Sequence, residues 1–276
     1  MATPLSAAAL VAALTREGVK VSERYAGWRT HNRNHMGAWG GVNGVLIHHT
    51  AGRDSRALCY NGRSDLPGPL CHTHLAKDGT ATMISAGRAN HAGPAAKNAF
   101  NAVVNESSTH PRPSAASGTV DGNAHFYGIE IENLGTSGDP YPAAQYDAAV
   151  RWAAGICRAH GWSADSVVGH KETSVEGKPD PSFDMNKFRK DVAARLKGAP
   201  SGGSTPTDDE EAAMASLSKK DMYEKVWTGD YAPAPSTSST KKENPTWMPI
   251  SVLVGLYEQV SRLRDEVAEL SKKVGK

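Results

Sequence analysis

Apolar residues recur along this chain with two different periods, and the change from one to the other marks its elements. Gly44-Val-Leu-Ile-His-His49 is a short apolar run with β-branched residues, which reads as a buried strand ending in two histidines. His74 to Ile84 reads as a hairpin that turns at Asp78-Gly79. Phe126 to Glu132 alternates, placing Ile129 and Ile131 on one face and Glu130 and Glu132 on the other. Val167-Val-Gly-His170 reads as a short strand running into a loop. Between these lie helical patterns. Met1 to Gly18 carries an apolar patch from Ala7 to Leu14. Pro142 to His160 repeats Tyr146, Ala149, Val150, Ala153 and Ile156 at helical spacing, and Asp184 to Leu196 turns Phe188, Val192 and Leu196 inward. The mixture predicts an α/β fold, a mixed central β-sheet flanked by helices, followed by a linker and a helical C-terminal region.

Composition divides the chain into three parts. Residues 1–198 read as one compact domain. Residues 199–206 lie in the Gly/Ser/Pro-rich run Gly198-Ala-Pro-Ser-Gly-Gly-Ser-Thr-Pro206 and read as a flexible linker. Residues 207–276 read as mostly helical, opening on Thr207-Asp-Asp-Glu210, which fits a capping box. A Pro/Ser/Thr stretch from Tyr231 to Pro249 interrupts them. Leu253, Leu256, Val260, Leu263, Val267, Leu270 and Val274 then alternate steps of three and four, so residues 252–274 predict a short coiled coil and a homo-oligomer formed through it. A lone amphipathic helix folded against its own chain is the competing reading.

Hydrophobic residues make up 39% and charged residues 22%, ordinary values for a globular protein. The formal net charge of +2 gives no electrostatic footprint for nucleic acid. No apolar run approaches the roughly 20 residues that cross a bilayer, so no stable membrane insertion is expected. The N-terminus lacks a basic start, and no signal peptide is expected. Cys59, Cys71 and Cys157 are odd in number, which favours free thiols over a disulfide framework, although Cys59 and Cys71 could pair across a loop.

Among eleven histidines, His48 ends an apolar strand, where an unpaired imidazole is costly to bury. His170 also stands at a strand end, and Asp180 follows ten residues later. Two imidazoles and a carboxylate from separate elements make an open zinc site with one position left for water. Spacing alone does not separate this from two hydrogen-bonded core histidines.

These residues also carry a resemblance. Gly44-Val-Leu-Ile-His-His-Thr50, Asn90-His-Ala-Gly93, Tyr127-Gly-Ile-Glu-Ile-Glu132, Gly169-His170 and Lys178-Pro-Asp-Pro181 resemble, in order and spacing, the type-2 N-acetylmuramoyl-L-alanine amidases, over about residues 40–190. That family includes phage endolysins and is related to peptidoglycan recognition proteins. Gly68-Pro-Leu-Cys-His72 and Gly87-Arg-Ala-Asn-His-Ala-Gly93 are similar to endolysins of phages that infect actinobacteria. The resemblance implies Zn2+ held by His48, His170 and Asp180, with Glu130 as the catalytic carboxylate and Lys178 near the developing oxyanion. His49 is an outward neighbour. His72, Asn90 and His91 are candidates for a substrate groove, His91 with a structural role as the alternative. Some phage members have a tyrosine where this chain has Cys71, which shifts weight to Glu130. The implied function is hydrolysis of the amide between N-acetylmuramic acid and L-alanine of peptidoglycan. An endolysin would be made in the host cytoplasm and act on the wall after release. The rival readings are a non-catalytic peptidoglycan-binding module, a bacterial wall-remodelling amidase and a tail-associated assembly protein.

Overall fold

The computed structural model describes residues 2–200 together with 232–233 and 246–247. The chain divides into two compact units, Met1–Thr205 and Pro206–Lys276. In chain order the first unit contains α1 (Ala7–Arg16), β1 (Val21–Ser22), β2 (Gly44–His49), α2 (Arg56–Asn61), β3 (Gly62–Arg63), β4 (Leu66–Pro67), β5 (Thr73–Leu75), β6 (Ala81–Met83), β7 (Pro94–Ala96), α3 (Lys97–Val104), β8 (Thr119–Asp121), α4 (Gly122–His125), β9 (Phe126–Ile131), α5 (Ala143–His160), β10 (Val167–Gly169), α6 (His170–Thr173) and α7 (Met185–Lys197).

Six strands form one mixed sheet in the order β1-β6-β5-β9-β2-β10. Neighbours are parallel except for β5 and β6. The apolar run of β2 is continuous because both of its faces are covered. Val45 and Ile47 join a core with Leu10 and Leu14 of α1, Trp152 and Ile156 of α5, and Phe188 and Val192 of α7. Leu46 faces the other way, into a smaller cluster with Phe100 and Val103 of α3, Phe126 and Val168. Helix α3 thus covers only the lower part of that face, and His48, two residues beyond Leu46, emerges on the same side.

The hairpin turns where the sequence places it, but its strands are only three residues each. Ala76 N–H donates to the Thr80 carbonyl at 3.0 Å, and Gly79 sits in the left-handed region at φ 80°, so the turn takes residues that a longer ladder would use. His170 opens the short helix α6, where the sequence suggested a loop. Cys59, Cys71 and Cys157 are free and buried, the first two packed together against Ile84. No helix among the described residues is long and apolar enough to cross a membrane. In the second unit the described residues form an antiparallel pair, β11 (Ala232–Pro233) with β12 (Thr246–Trp247). The capping box at Thr207 and the heptad stretch 252–274 lie outside the described residues.

Behind the sheet, Glu17 clamps three helices. It follows α1 directly, is 1% exposed, and receives Arg158 Nε of α5 at 3.1 Å and Arg195 Nε of α7 at 2.9 Å. Removing one side of such a pair strands the remaining charge, at about 3–5 kcal/mol when all partners are buried. Both arginines here retain some solvent. Glu17→Ala should therefore lower stability by about 2–3 kcal/mol in urea unfolding; a change below about 0.5 kcal/mol would show that the clamp contributes nothing.

Candidate metal centre

Register brings four strands' worth of chemistry into line. His48 of β2 pairs with Glu130 of β9, which pairs with His74 of β5. Gly169 pairs with Ile47, so His170 falls beside His48. Residues in register on neighbouring strands point to one face. A row His74, Glu130, His48, His170 therefore crosses the sheet.

Asp180 reaches this row from the loop before α7, its carbonyl accepting Lys171 N–H at 2.7 Å. The ligand atoms of His48, His170 and Asp180 lie within 4.8 Å of one another, and all three residues are buried. Asp180 Oδ2 is 3.1 Å from His48 Nδ1 and 3.2 Å from His170 Nδ1.

The proton on His48 can be placed from its neighbours. His91 Nε2 is 3.1 Å from the Phe126 carbonyl, an acceptor only, so His91 Nε2–H donates there. His91 is kept neutral because burial, then the nearby His48, push its pKa well down. Its Nδ1 is therefore the acceptor, and His48 Nε2–H donates to it at 3.0 Å. His48 is itself pushed down to about 4 by burial and then by His170, against the pull of Asp180. Its Nδ1 is thus a bare lone pair aimed at the carboxylate. This is how an outer hydrogen bond fixes the tautomer of a metal-ligating histidine. Such a donor set could hold a metal ion: tetrahedral ligands about 2.0–2.2 Å from zinc stand about 3.4 Å apart, close to the spacings found.

Glu130 stands at the centre of the row, its Oε2 buried without a hydrogen-bond partner. Burial, then Cys59 and Asp180, push its pKa well above the carboxylate range, while Lys178 pulls it down. Lys178 is 44% exposed, with Glu176 Oε2 at 3.7 Å. His49 points away from the donors and shares a 3.0 Å hydrogen bond with the Tyr141 hydroxyl.

Of the suggested groove residues, His72 and His91 are buried and Asn90 is partly exposed. His72 is 0% exposed, stacks on Trp39, and accepts Gly128 N–H on Nδ1 at 2.9 Å, so it lies inside the protein and lines no groove. His91 is buried and occupied by His48 and Phe126. The Asn90 Nδ2 donates to the Pro67 carbonyl at 3.1 Å, which ties it to β4. Missed from sequence was His74, held neutral with its pKa pushed down to about 4 by burial and then by Arg56, and 3.0 Å from Ser55 Oγ. Its signal was the two-residue spacing of His72 and His74, which puts both on the face of Glu130.

A family profile described as N-acetylmuramoyl-L-alanine amidase matches residues 38–183. No curated protein matches the chain. Among solved structures it is similar to the endolysin N-acetylmuramoyl-L-alanine amidase LysCS from Clostridium intestinale URNW, with 16% identity over 63% of this chain and 95% of that one and a TM-score of 0.42. It is also similar to the amidase AmiD from E. coli in complex with the substrate anhydro-N-acetylmuramic acid-L-Ala-D-gamma-Glu-L-Lys, with 18% identity over 72% of this chain and 68% of that one and a TM-score of 0.40. The family match, and not these likenesses, carries the assignment.

The tautomer chain depends on a missing side chain. A Cβ at Gly128 would stand 2.4 Å from His91 Nδ1. Imidazole ¹⁵N NMR of the metal-free protein should find His48 and His91 both protonated at Nε2, and Gly128→Ala should abolish that pattern by displacing His91. His48 protonated at Nδ1 in the unsubstituted protein would contradict the assignment.

Proposed function

The chain belongs to the N-acetylmuramoyl-L-alanine amidase family, and on that premise we propose that it is a zinc-dependent hydrolase. It cuts the amide between N-acetylmuramic acid and the first L-alanine of peptidoglycan. The observation that carries the zinc assignment is the Asp180 carboxylate 3.1 Å from a deprotonated His48 Nδ1. Lone pairs that face each other at that distance repel, and a cation among them turns the repulsion into attraction. Two imidazoles and a carboxylate from separate elements are a donor set that zinc accepts while keeping a position open.

When bound, zinc supplies Lewis acidity, polarising an amide carbonyl and acidifying water toward neutral pH. The chain's own residues do the rest. Glu130 is the proton carrier: its raised pKa suits it to take a proton from the attacking water and to return it to the leaving alanine nitrogen. Lys178 supplies positive charge where negative charge gathers on the carbonyl oxygen. His91 holds His48 in the ligating tautomer.

The biological setting that fits best is phage lysis of an actinobacterial host, on the strength of the Gly68–His72 and Gly87–Gly93 motifs. In that setting the enzyme is made in the host cytoplasm and reaches the wall after release. Residues 1–198 are the catalytic domain, 199–206 the linker, and 207–276 a separate region that self-associates through its heptads and raises avidity for a polymeric wall.

The test of the reaction is metal analysis combined with mass spectrometry of digested peptidoglycan. The protein should carry one zinc and release stem peptides with a free N-terminal alanine, and His48→Ala should lose the metal. Glu130→Gln should retain zinc and lower turnover about 10²- to 10⁴-fold; near-normal turnover in that variant would remove Glu130 from the role. For the tail, light scattering of the full chain against one ending near Gly229 should show assembly that is lost on truncation. Two monomers at high concentration would rule the coiled coil out.

A further inference from the structure

Past Glu130 the same face of the sheet opens into a cleft of about 650 Å³. That is room for a short peptide. Glu132 lies on its wall, two residues beyond Glu130 on the same face, held in strand geometry by its N–H to the Leu75 carbonyl at 2.9 Å. Arg24 and Tyr25 contribute from the segment after β1, Asp54 from the loop before α2, Arg56 from its first position, and Lys77 from the hairpin turn.

The charges here are not all paired with one another. Lys77 is satisfied by Asp139 at 2.9 Å and Asp78 by Lys20 at 3.6 Å. Arg24 and Arg56 are different: among the described residues neither has a carboxylate within ion-pair distance, although Asp54 and Glu132 line the same cleft. Glu132 leans instead on His74 at 3.5 Å. Two guanidiniums and two carboxylates thus face a common space without cancelling one another. Guanidinium is the side chain best matched to carboxylate oxygens, through paired N–H donors.

Distance links the cleft to the row of the metal centre. Residues two apart in a strand stand about 6.6–6.8 Å apart, which is the reach of two residues of an extended peptide. A peptide whose first amide is placed at Glu130 therefore brings its second residue to the level of Glu132, on the wall of the cleft that both arginines line.

We propose that this cleft is the subsite for the peptide beyond the cut amide, and that Arg24 and Arg56 select a peptide with free carboxylates, while Asp54 and Glu132 favour a free amine on the same ligand. This rests on the amidase reading and deepens it by assigning the part of the substrate that sets specificity. Arg24 and Arg56 are not part of the catalytic machinery, and both reach solvent, so their substitution leaves the fold in place.

The test uses the full-length zinc-loaded enzyme and two muropeptides, one with free stem carboxylates and one with those carboxylates amidated. The enzyme should prefer the free acid. The double variant Arg24→Ala, Arg56→Ala should raise KM for the free acid roughly 10- to 100-fold, the loss expected for charge-assisted hydrogen bonds. Its kcat should stay within about twofold, and its KM for the amidated substrate should hardly move. Calorimetry with the free-acid stem peptide alone should show the same fold-loss in Kd, whether or not the muropeptides are cut. Equal KM values for the two substrates in the unsubstituted enzyme, or unchanged KM and Kd in the double variant, would overturn the subsite while leaving the amidase reading intact. An unsubstituted zinc enzyme that cuts neither muropeptide would overturn the amidase reading, and this subsite with it.

Discussion

Ionised carboxylates and neutral imidazoles can share a buried pocket only if something positive, a proton or a metal ion, sits between their lone pairs. In this protein the proton is already committed elsewhere. The Phe126 carbonyl takes the His91 proton, His91 takes the His48 proton, and His48 is left to face Asp180 at 3.1 Å with nothing to donate. Burial closes the remaining escape, because it makes a charged His48 costly and holds the imidazole's pKa near 4. A cation at the meeting point would satisfy the facing donors, and the chemistry proposed for the chain rests on that reading.

The sheet exists to hold this geometry. Parallel pairing of β2 with β9 and of β9 with β5 puts His48, Glu130 and His74 into a single row. The two cores below and behind leave no freedom for slippage, since a one-residue shift of β2 would exchange Ile47 with His48 across the faces. Gly128 opens the space that His91 fills. Glu130 then has its raised pKa for reasons of position, with burial first and neighbouring groups second. The row runs from the proposed metal ligands at one end toward a cleft lined by charges of both signs at the other, which is the line along which the proposal lays the amide and the peptide beyond it.

Much of this was legible in the sequence, and the boundary is physical. Short apolar runs ending in His48 and His170, and the alternation that sets Glu130 opposite Ile129, report buried strands with polar ends, because burial of a strand leaves a pattern of period two. The helices α1, α5 and α7 were legible by their spacing for the same reason. Pairing between strands leaves no such trace. Nothing local says that His74 lies in register with Glu130, or that a glycine at 128 marks the seat of a histidine 37 residues earlier. For that reason His72 was a groove candidate by resemblance and proved to be fully buried. Arg24 and Arg56 lie in polar segments whose pattern is that of any solvated loop; only the fold brings them to one cleft. The stretch from Pro94 to Asp121 with β7, α3 and β8 also escaped notice, since its elements are too short to establish a period. The heptads of residues 252–274 remain a reading of sequence alone.

Anomalous X-ray scattering at the zinc edge from crystals of the zinc-loaded protein addresses the central claim most directly. The account predicts a single peak about 2.0–2.2 Å from His48 Nδ1, His170 Nδ1 and an Asp180 carboxylate oxygen, with the His48–His91–Phe126 hydrogen bonds retained. Zinc bound through His48 Nε2, or a fully loaded crystal with no peak among these three residues, would contradict it.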